Sequence, residues 1–245
     1  MSTTIYPAAR ICADFIARAL ATSRTSTRPL FFGFQGPQGC GSSDNSLLVY
    51  YNKTNQVWCL VGKTTLTSQT QAALRNLPTP VHAVVFSIDD LYLPYSGLTQ
   101  LARTHPDNAL LNGRGQPGTH DPVLGKSILE DLAHINEKGG EIGLPVFDKS
   151  AYGGYGDRSD KVEILRPPVD VVILEGWCFG FQPLEEEELK ERYHSPDTKL
   201  EVSASPRSEP FFKGHSLTAL ADINHNLRGY ADLWYRYFTH FIQAS

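Results

Sequence analysis

Three short apolar runs, each ending in polar residues, predict three buried strands. They are PLFFGF (29–34), VHAVVFSI (81–88) and VDVVILEGW (169–177). β-Branched and aromatic residues dominate these runs, and polar positions do not alternate regularly with apolar ones. This is typical of parallel strands that are covered on both faces. The pattern therefore predicts a parallel sheet with helices on both sides.

Apolar residues at helical spacing predict the covering helices. These span about 6–20, 63–77, 119–140 and 217–243, the last turning into a strand near His240. In the third helix, Asp121 is a natural N-cap, Pro122 suits the first helical position and Gly139 ends the helix. The acidic run 184–192 predicts a solvated helix, followed by an exposed or disordered connection to about residue 210.

Alternating strands and helices predict an α/β fold, a three-layer sandwich with a mostly parallel central sheet. The 245 residues suit a single domain, in which 184–214 form an exposed helix and loop. Ligands of such sheets bind beyond the carboxyl ends of the strands. The residues that follow the predicted strands are therefore the first candidates for a functional site.

Net charge, cysteine spacing and the length of apolar runs limit the cellular compartments and the classes of binding partner that we expect for the protein. The net charge is −4 and the isoelectric point is near 6.1, which gives no general attraction to nucleic acid or anionic membranes. The four cysteines are scattered without a C-x-x-C pair, so they indicate neither a zinc site nor a disulfide framework. No apolar run has the length of a membrane span, and the N-terminal region is unlike a signal peptide. We expect a cytoplasmic protein that binds neither nucleic acid nor membranes.

The first predicted strand leads into an interrupted phosphate-binding loop. In GPQGCG, Gly36 and Gly41 occupy the glycine positions of the pattern G-x-x-x-x-G-K-[ST], but Ser42 and Ser43 follow instead of Lys and Thr. The missing residues occur later, in GKTTL (62–66). Without 42–62 the chain reads FFGFQGPQGCGKTTLT, a strand, a phosphate loop and a helix start of the P-loop NTPase type.

Two interpretations of the inserted segment 42–62 stay open. Its sequence, with apolar runs on either side of NKTN, predicts a hairpin that loops out and lets the two halves of the phosphate loop meet. Alternatively, it is a short retained intron translated in frame, since a glycine stands at each edge. The protein sequence alone does not distinguish a hairpin from an intron.

Carboxylates follow the other two predicted strands. Asp89 and Asp90 come after the second strand, and Glu175 ends the third. As structural residues they would cap a turn or bind a neighbouring loop. In a phosphoryl-transfer enzyme, such carboxylates accept the proton of the acceptor hydroxyl or support Mg²⁺.

Two glycine-rich segments, NGRGQPGTHDP (112–122) and LPVFDKSAYGGYGDRS (144–159), carry several charged residues. They are either polar surface loops or loops that close around a small anionic acceptor, in which Arg or Lys holds a carboxylate. The chain has no Asn-Lys-x-Asp stretch of the kind that recognises guanine, which argues against a GTPase.

These stretches together resemble the D-glycerate 3-kinase family, P-loop kinases similar to uridine kinase and phosphoribulokinase. The resemblance rests on GFQGPQGCG…KTTL, SIDDLYLP, LLNGRGQPGTHD, LPVFDKSAYGGYGDRS and VDVVILEGWCFGF, in the family's order over 30–181. It implies ATP-dependent phosphorylation of a hydroxyl on a small metabolite, most directly D-glycerate, with ATP and Mg²⁺ as cofactors.

The resemblance also implies roles for individual residues. The catalytic residues would be Asp89 as general base, Lys63 and Arg158. The nucleotide would be bound by Gly36, Gly39, Cys40, Gly41, Gly62, Lys63, Thr64 and Thr65, and the metal by Thr64, Asp89 and Glu175. The acceptor would be bound by Asp90, Tyr92, Arg114, His120, Asp148, Lys149 and Arg158.

The chain differs from the family pattern at two places. The insertion 42–62 splits the phosphate loop, and the family continues beyond the point where FIQAS (241–245) ends this sequence. We therefore expect a truncated C-terminus. Two alternatives to a glycerate kinase stay open: a catalytically impaired relative that acts as a binding protein, and a nucleoside or pantothenate-type kinase.

Overall fold

The computed structural model describes residues 5–23, 27–36, 50–51, 57–58, 63–195 and 211–243. Its strands are β1 (Leu30–Gln35), β2 (Tyr50–Tyr51), β3 (Val57–Trp58), β4 (Ala83–Ser87), β5 (Ile142–Asp148), β6 (Asp157–Leu165), β7 (Val171–Gly176) and β8 (His240–Gln243). Its helices are α1 (Pro7–Ser23), α2 (Lys63–Arg75), α3 (Tyr95–Thr104), α4 (Pro122–Ala133), α5 (Ile135–Lys138), α6 (Ala151–Gly154), α7 (Glu186–His194) and α8 (Leu217–Leu233). Short 3₁₀ turns cover Ile88–Leu91, Ala109–Leu111, Phe211–Gly214 and Tyr235–Tyr237.

A parallel sheet forms the centre of the molecule, in the order β4-β7-β1-β8. Every residue of β7 is buried. Phe34 and Ser87 lie directly beside Glu175, one on each neighbouring strand. The strands that precede the three candidate sites therefore end in one row, at the same edge of the sheet.

Helices cover both faces of this sheet. On one face, Phe32, Val171 and Ile173 pack in a core with residues of α1 and α2, such as Ile16 and Leu74. On the other face, the opposite side chains of the same strands pack against α4, α8 and the segment after α8; this core includes Phe31, Val172, Leu174, Leu129 and Trp234. The predicted three-layer α/β sandwich is confirmed.

The helix predicted over 119–140 is two helices. Asp121 caps α4 as predicted, since its Oδ1 accepts from Leu124 N at 2.9 Å. The helix is interrupted at His134, whose backbone leaves the helical region (φ −114°, ψ 7°), and α5 then continues to Gly139. The break keeps Ile135 in the core.

The segment 144–159, predicted as a loop, is largely a β-hairpin. The strands β5 and β6 pair antiparallel outside the central sheet, with an irregularity between Pro145 and Phe147. Most side chains of β6 are exposed. The sequence therefore shows neither the buried run nor the regular alternation from which strands are predicted.

Two further predictions concern peripheral segments. Tyr50–Tyr51 pairs antiparallel with Val57–Trp58, in agreement with the hairpin predicted inside 42–62. The acidic helix α7 has no buried residue, as predicted. The connection 196–210 lies outside the described residues. Within the described ranges, no helix has the length and apolarity needed to cross a membrane.

Candidate active site

The start of α2 and the end of β7 are joined by a side-chain hydrogen bond. Thr64 Oγ1, in the first turn of α2, donates to Glu175 Oε1 at 2.8 Å. Glu175 is only 3% exposed. The N-terminus of α2 therefore lies at the carboxyl edge of the sheet, where its free backbone N–H groups and its dipole favour an anion.

The phosphate-loop residues are described in part. Gly36 is buried and directly follows β1, and Lys63 is the first residue of α2. Thr65 is exposed in the first turn of that helix. The predicted nucleotide-binding residues Gly39, Cys40, Gly41 and Gly62, and the side chain of Lys63, lie outside the described part of the chain.

A tight turn after β4 places Asp89 at the same edge of the sheet as Glu175. Ser87 Oγ accepts from Asp89 N at 3.2 Å, which caps the 3₁₀ turn Ile88–Leu91. Gly176 is needed for this packing, because a Cβ there would approach Ile88 Cγ2 to 2.5 Å. The glycine of LEGW thus allows the Asp89 turn to pack against the end of β7.

Both oxygens of the Asp89 carboxylate have a hydrogen-bond donor. Lys149 Nζ lies 2.7 Å from Oδ2, and Tyr92 OH donates to Oδ1 at 3.1 Å. The Asp89 side chain is 11% exposed and that of Lys149 is 57% exposed. The carboxylate is therefore fixed from the protein side by Tyr92 and neutralised from the solvent side by Lys149.

Tyr92 is held by a buried aromatic group. Its ring stacks on His120 with centroids 4.2 Å apart, and His120 Nδ1 lies 2.6 Å from Tyr230 OH on α8. Burial lowers the pKa of His120 to about 3, so the imidazole is neutral at physiological pH. Burial, and then the charge of Asp89, raises the pKa of Tyr92, which keeps its hydroxyl protonated as a donor.

Two predicted acceptor residues, Asp90 and Asp148, bind the backbone. Asp90 Oδ1 accepts from Phe147 N at 3.1 Å, and burial raises the pKa of this carboxyl group. Asp148 Oδ1 accepts from Ser150 N at 2.9 Å and Ser150 Oγ at 2.6 Å, and these hydrogen bonds lower its pKa. Asp90 thus attaches β5 to the Asp89 turn, and Asp148 shapes the turn that follows β5.

Two predicted basic residues, Arg114 and Arg158, also bind protein groups. Arg114 Nη1 donates to the carbonyls of Gly154 and Tyr155, at 2.5 and 2.7 Å. Arg158 Nη2 donates to Tyr92 O at 3.0 Å and lies 3.3 Å from Asp121 Oδ2. Most of the predicted acceptor residues therefore fix the loops near the Asp89 turn, and Tyr92 and Lys149 contact Asp89 itself.

The oxygen donors at this edge suit Mg²⁺, a hard cation that is usually held by one or two carboxylates, waters and substrate phosphates. A hydroxyl and a carboxylate meet at Thr64 and Glu175. Within the described ranges, no group of three or more His, Cys, Asp or Glu residues could hold a metal by itself.

Comparison with a solved structure decides the family. The D-glycerate 3-kinase of Cryptococcus neoformans superimposes on 97% of this chain with a TM-score of 0.79 and 33% identity, and the chain covers 73% of that protein. The chain belongs to the D-glycerate 3-kinase family. The resemblance inferred from the sequence motifs is thereby confirmed.

Curated members of the family give the same assignment. The chloroplastic D-glycerate 3-kinase of Arabidopsis thaliana is 32% identical over 85% of this chain, which covers 36% of that protein. The probable ATP-dependent kinase TDA10 of Saccharomyces cerevisiae is 35% identical over 64% of this chain, which covers 48% of that protein. The chain thus spans about a third to a half of the length of these relatives. No protein-family model matches the chain.

Some members of the site were not predicted from the sequence. Tyr230 contacts His120 from 110 positions away, and Ser87 caps the turn that carries Asp89. Tyr230 lies in LADINHNLRGYADLW, which fits the family pattern without indicating a role. Ser87 lies two positions before Asp89, and this spacing was a usable signal for a turn cap.

Proposed function

We propose that the protein is an ATP-dependent kinase that transfers the γ-phosphate to a hydroxyl of a short hydroxy acid, with D-glycerate as the first candidate. The observation that carries the proposal is the hydrogen bond between Thr64 and Glu175, which sets the start of α2 beside the end of β7. Asp89 follows the next strand at the same edge of the sheet. This is the arrangement that phosphoryl transfer between a nucleotide and a hydroxyl requires.

The nucleotide phosphates would lie at the N-terminus of α2, against the backbone N–H groups of Lys63, Thr64 and Thr65. The residues of GPQGCG would complete the loop, and the Lys63 ammonium would neutralise the phosphate oxygens. Thr64 and Glu175 would hold Mg²⁺, with Asp89 as a further carboxylate at the same edge. The cation supplies charge neutralisation for the transferring phosphoryl group.

Asp89 is the proposed general base. Its fixed carboxylate would accept the proton of the acceptor hydroxyl while that oxygen bonds to the γ-phosphorus, and the bond between this phosphorus and the bridging oxygen breaks to release ADP. Tyr92 orients the carboxylate through Oδ1. Such a base contributes a rate factor of about 10²–10⁴.

The acceptor would be a small anion. Lys149 lies next to Asp89, with Nζ 2.7 Å from Oδ2, so a carboxylate carried close to the reacting hydroxyl would meet a cation. A nucleoside lacks such a group, and the carboxylate of pantothenate is remote from its reacting hydroxyl. A cytoplasmic location stays a prediction from composition.

ADP release and product formation with D-glycerate, nucleosides and pantothenate test the proposal. The assay compares the chain as given with a variant that lacks residues 42–62. We expect ATP-dependent phosphorylation of D-glycerate in preference to the other acceptors, most clearly in the shortened variant. Preference for a nucleoside would contradict the acceptor class. Nucleotide binding without transfer to any acceptor would favour the alternative of a binding protein.

A further inference from the structure

The three basic residues predicted to bind the acceptor, Arg114, Lys149 and Arg158, differ in their exposure and in their present partners. Arg114 is engaged with the carbonyls of Gly154 and Tyr155. Arg158 is 26% exposed and is engaged with Tyr92 O and Asp121. Lys149 differs from both, because it is 57% exposed and its partner is the proposed base itself.

The backbone on either side of Lys149 is well anchored. Phe147 N donates to Asp90, and Ser150 N donates to Asp148. The turn that follows is fastened by Arg114 and by stacking of Tyr152 on Tyr95, with ring centroids 3.8 Å apart. Lys149 can therefore change its partner by moving its four-carbon side chain, without movement of the hairpin.

The ion pair between Lys149 and Asp89 joins an exposed ammonium group to a buried carboxylate. Its lysine end is more than half exposed, so water and dissolved ions screen the attraction from that side. Its aspartate end is buried and stays oriented by Tyr92 when the lysine leaves. A bound anion can thus compete for Lys149 without disordering the carboxylate.

We propose that Lys149 determines acceptor specificity: it covers Asp89 Oδ2 when the site is empty and transfers to the carboxylate of a short hydroxy acid when the acceptor binds. The inference rests on the proposed function, because it takes Asp89 as the base. Departure of the ammonium removes one donor from Oδ2, which can then accept a hydrogen bond from the acceptor hydroxyl. An acceptor that carries a carboxylate thereby exposes the Asp89 carboxylate, which takes the proton from the acceptor's hydroxyl.

The geometry also limits the acceptor's size. Nζ lies 2.7 Å from Oδ2 in the ion pair and can withdraw only as far as the lysine side chain allows, so one molecule reaches both groups only if its carboxylate and hydroxyl are separated by a few bonds. Two- to four-carbon hydroxy acids satisfy this condition. Polyols lack the anion that would draw Lys149 away from Asp89.

Equilibrium binding to the full chain tests the inference without requiring turnover. D-Glycerate and D-glyceramide have nearly the same shape and differ in the carboxylate. We expect calorimetry to show that the wild-type protein binds D-glycerate about tenfold or more tightly than D-glyceramide, as expected for a charged hydrogen bond. In Lys149→Met this ratio should fall to near one, and Lys149→Arg should recover part of it.

Lys138→Met is the matched control. Lys138 is 63% exposed and lies 3.6 Å from Asp131, so it is also a surface lysine paired with an aspartate. This variant should keep the wild-type ratio. Thermal unfolding of each variant identifies a loss of folding, in which case Lys149→Gln replaces Lys149→Met in the comparison.

The outcomes separate this inference from the proposed function. An unchanged ratio in folded Lys149→Met, or no preference for D-glycerate in the wild-type protein, would overturn the role of Lys149. The proposed function fails separately, if neither the intact nor the shortened chain phosphorylates any acceptor in the presence of ATP. Selective binding of D-glycerate, without phosphorylation by either the intact or the shortened chain, would support the role of Lys149 in recognition and contradict the kinase.

Discussion

Thr64 Oγ1 donates a hydrogen bond to Glu175 Oε1 at 2.8 Å, across 111 positions of the sequence. The contact forms although residues 42–62 separate the strand β1 and its glycines from α2. The helix start thus lies where an uninterrupted phosphate loop would place it. The described structure therefore places Gly36, which follows β1, and the start of α2 at the same edge of the sheet.

Replacing Thr64 by valine should weaken binding of Mg²⁺–ATP about tenfold or more, because a hydroxyl ligand is lost beside a buried carboxylate. Binding of ATP in EDTA should change much less. Ser68→Ala, at an exposed position of the same helix, is the control. Titrations of ATP with and without Mg²⁺ measure the effect, and an equal loss in both conditions would contradict a role at the metal.

Replacing Asp89 by asparagine should lower kcat by about 10²–10⁴, since the amide cannot accept the hydroxyl proton. Steady-state rates with saturating ATP measure the change in whichever form of the chain is active. Asp131→Asn, at an exposed carboxylate on α4, should leave kcat unaltered. A wild-type kcat in Asp89→Asn would remove Asp89 from the role of base.

Replacing Tyr92 by phenylalanine should lower kcat about three- to tenfold while the KM of the acceptor changes little. The ring and its stacking on His120 are retained, and only the hydrogen bond to Asp89 Oδ1 is lost. A bond of this kind to a charged group contributes about 1.5–3 kcal/mol, part of which the unfolding free energy should register. A rise in KM alone would instead mean that Tyr92 contacts the acceptor, as the family resemblance suggested.

The central sheet could be predicted from the sequence because its strands are covered on both faces. In β7, all residues are buried, and the run VVILEG follows directly from that environment. The carboxyl ends of the strands then indicated Asp89 and Glu175. The contact between Lys149 and Asp89 could not be predicted, because Lys149 lies in the hairpin β5–β6, 60 positions away. Tyr92, by contrast, lies three positions after Asp89 and contacts it within the local turn.

The hairpin itself and the short helix α3 were missed for different reasons. No residue of β6 is buried, so this strand leaves no apolar alternation in the sequence. Leu98 is the one buried residue of α3, but the helix has an apolar side, so its period was present in the sequence and was not used. Arg114 and Asp90 stay predicted acceptor residues, and their backbone partners depend on tertiary geometry.

Removing residues 42–62 should restore a continuous phosphate loop. We expect no appreciable ATP turnover from the intact chain, because the consecutive backbone N–H groups of a phosphate loop need Gly41 next to Lys63. Turnover by the intact chain at the rate of the shortened variant would contradict this expectation. Sequencing the transcript addresses the origin of the segment, since a major message that encodes it would exclude a retained intron.

His120 should make folding sensitive to acid. Burial lowers its pKa from 6.5 to about 3, so below pH 6.5 the unfolded chain binds a proton that the folded chain excludes. Stability should therefore fall as the pH falls from about 6.5 to 3, by up to about 1.4 kcal/mol per pH unit from this group. Urea unfolding at pH 7, 6 and 5 measures the slope, which should be shallower in His120→Asn.

Tyr230→Phe removes the neighbouring hydroxyl but leaves the imidazole in place, so it should lower stability while retaining the slope. An identical slope in the wild-type protein and His120→Asn would show that His120 is not the group responsible.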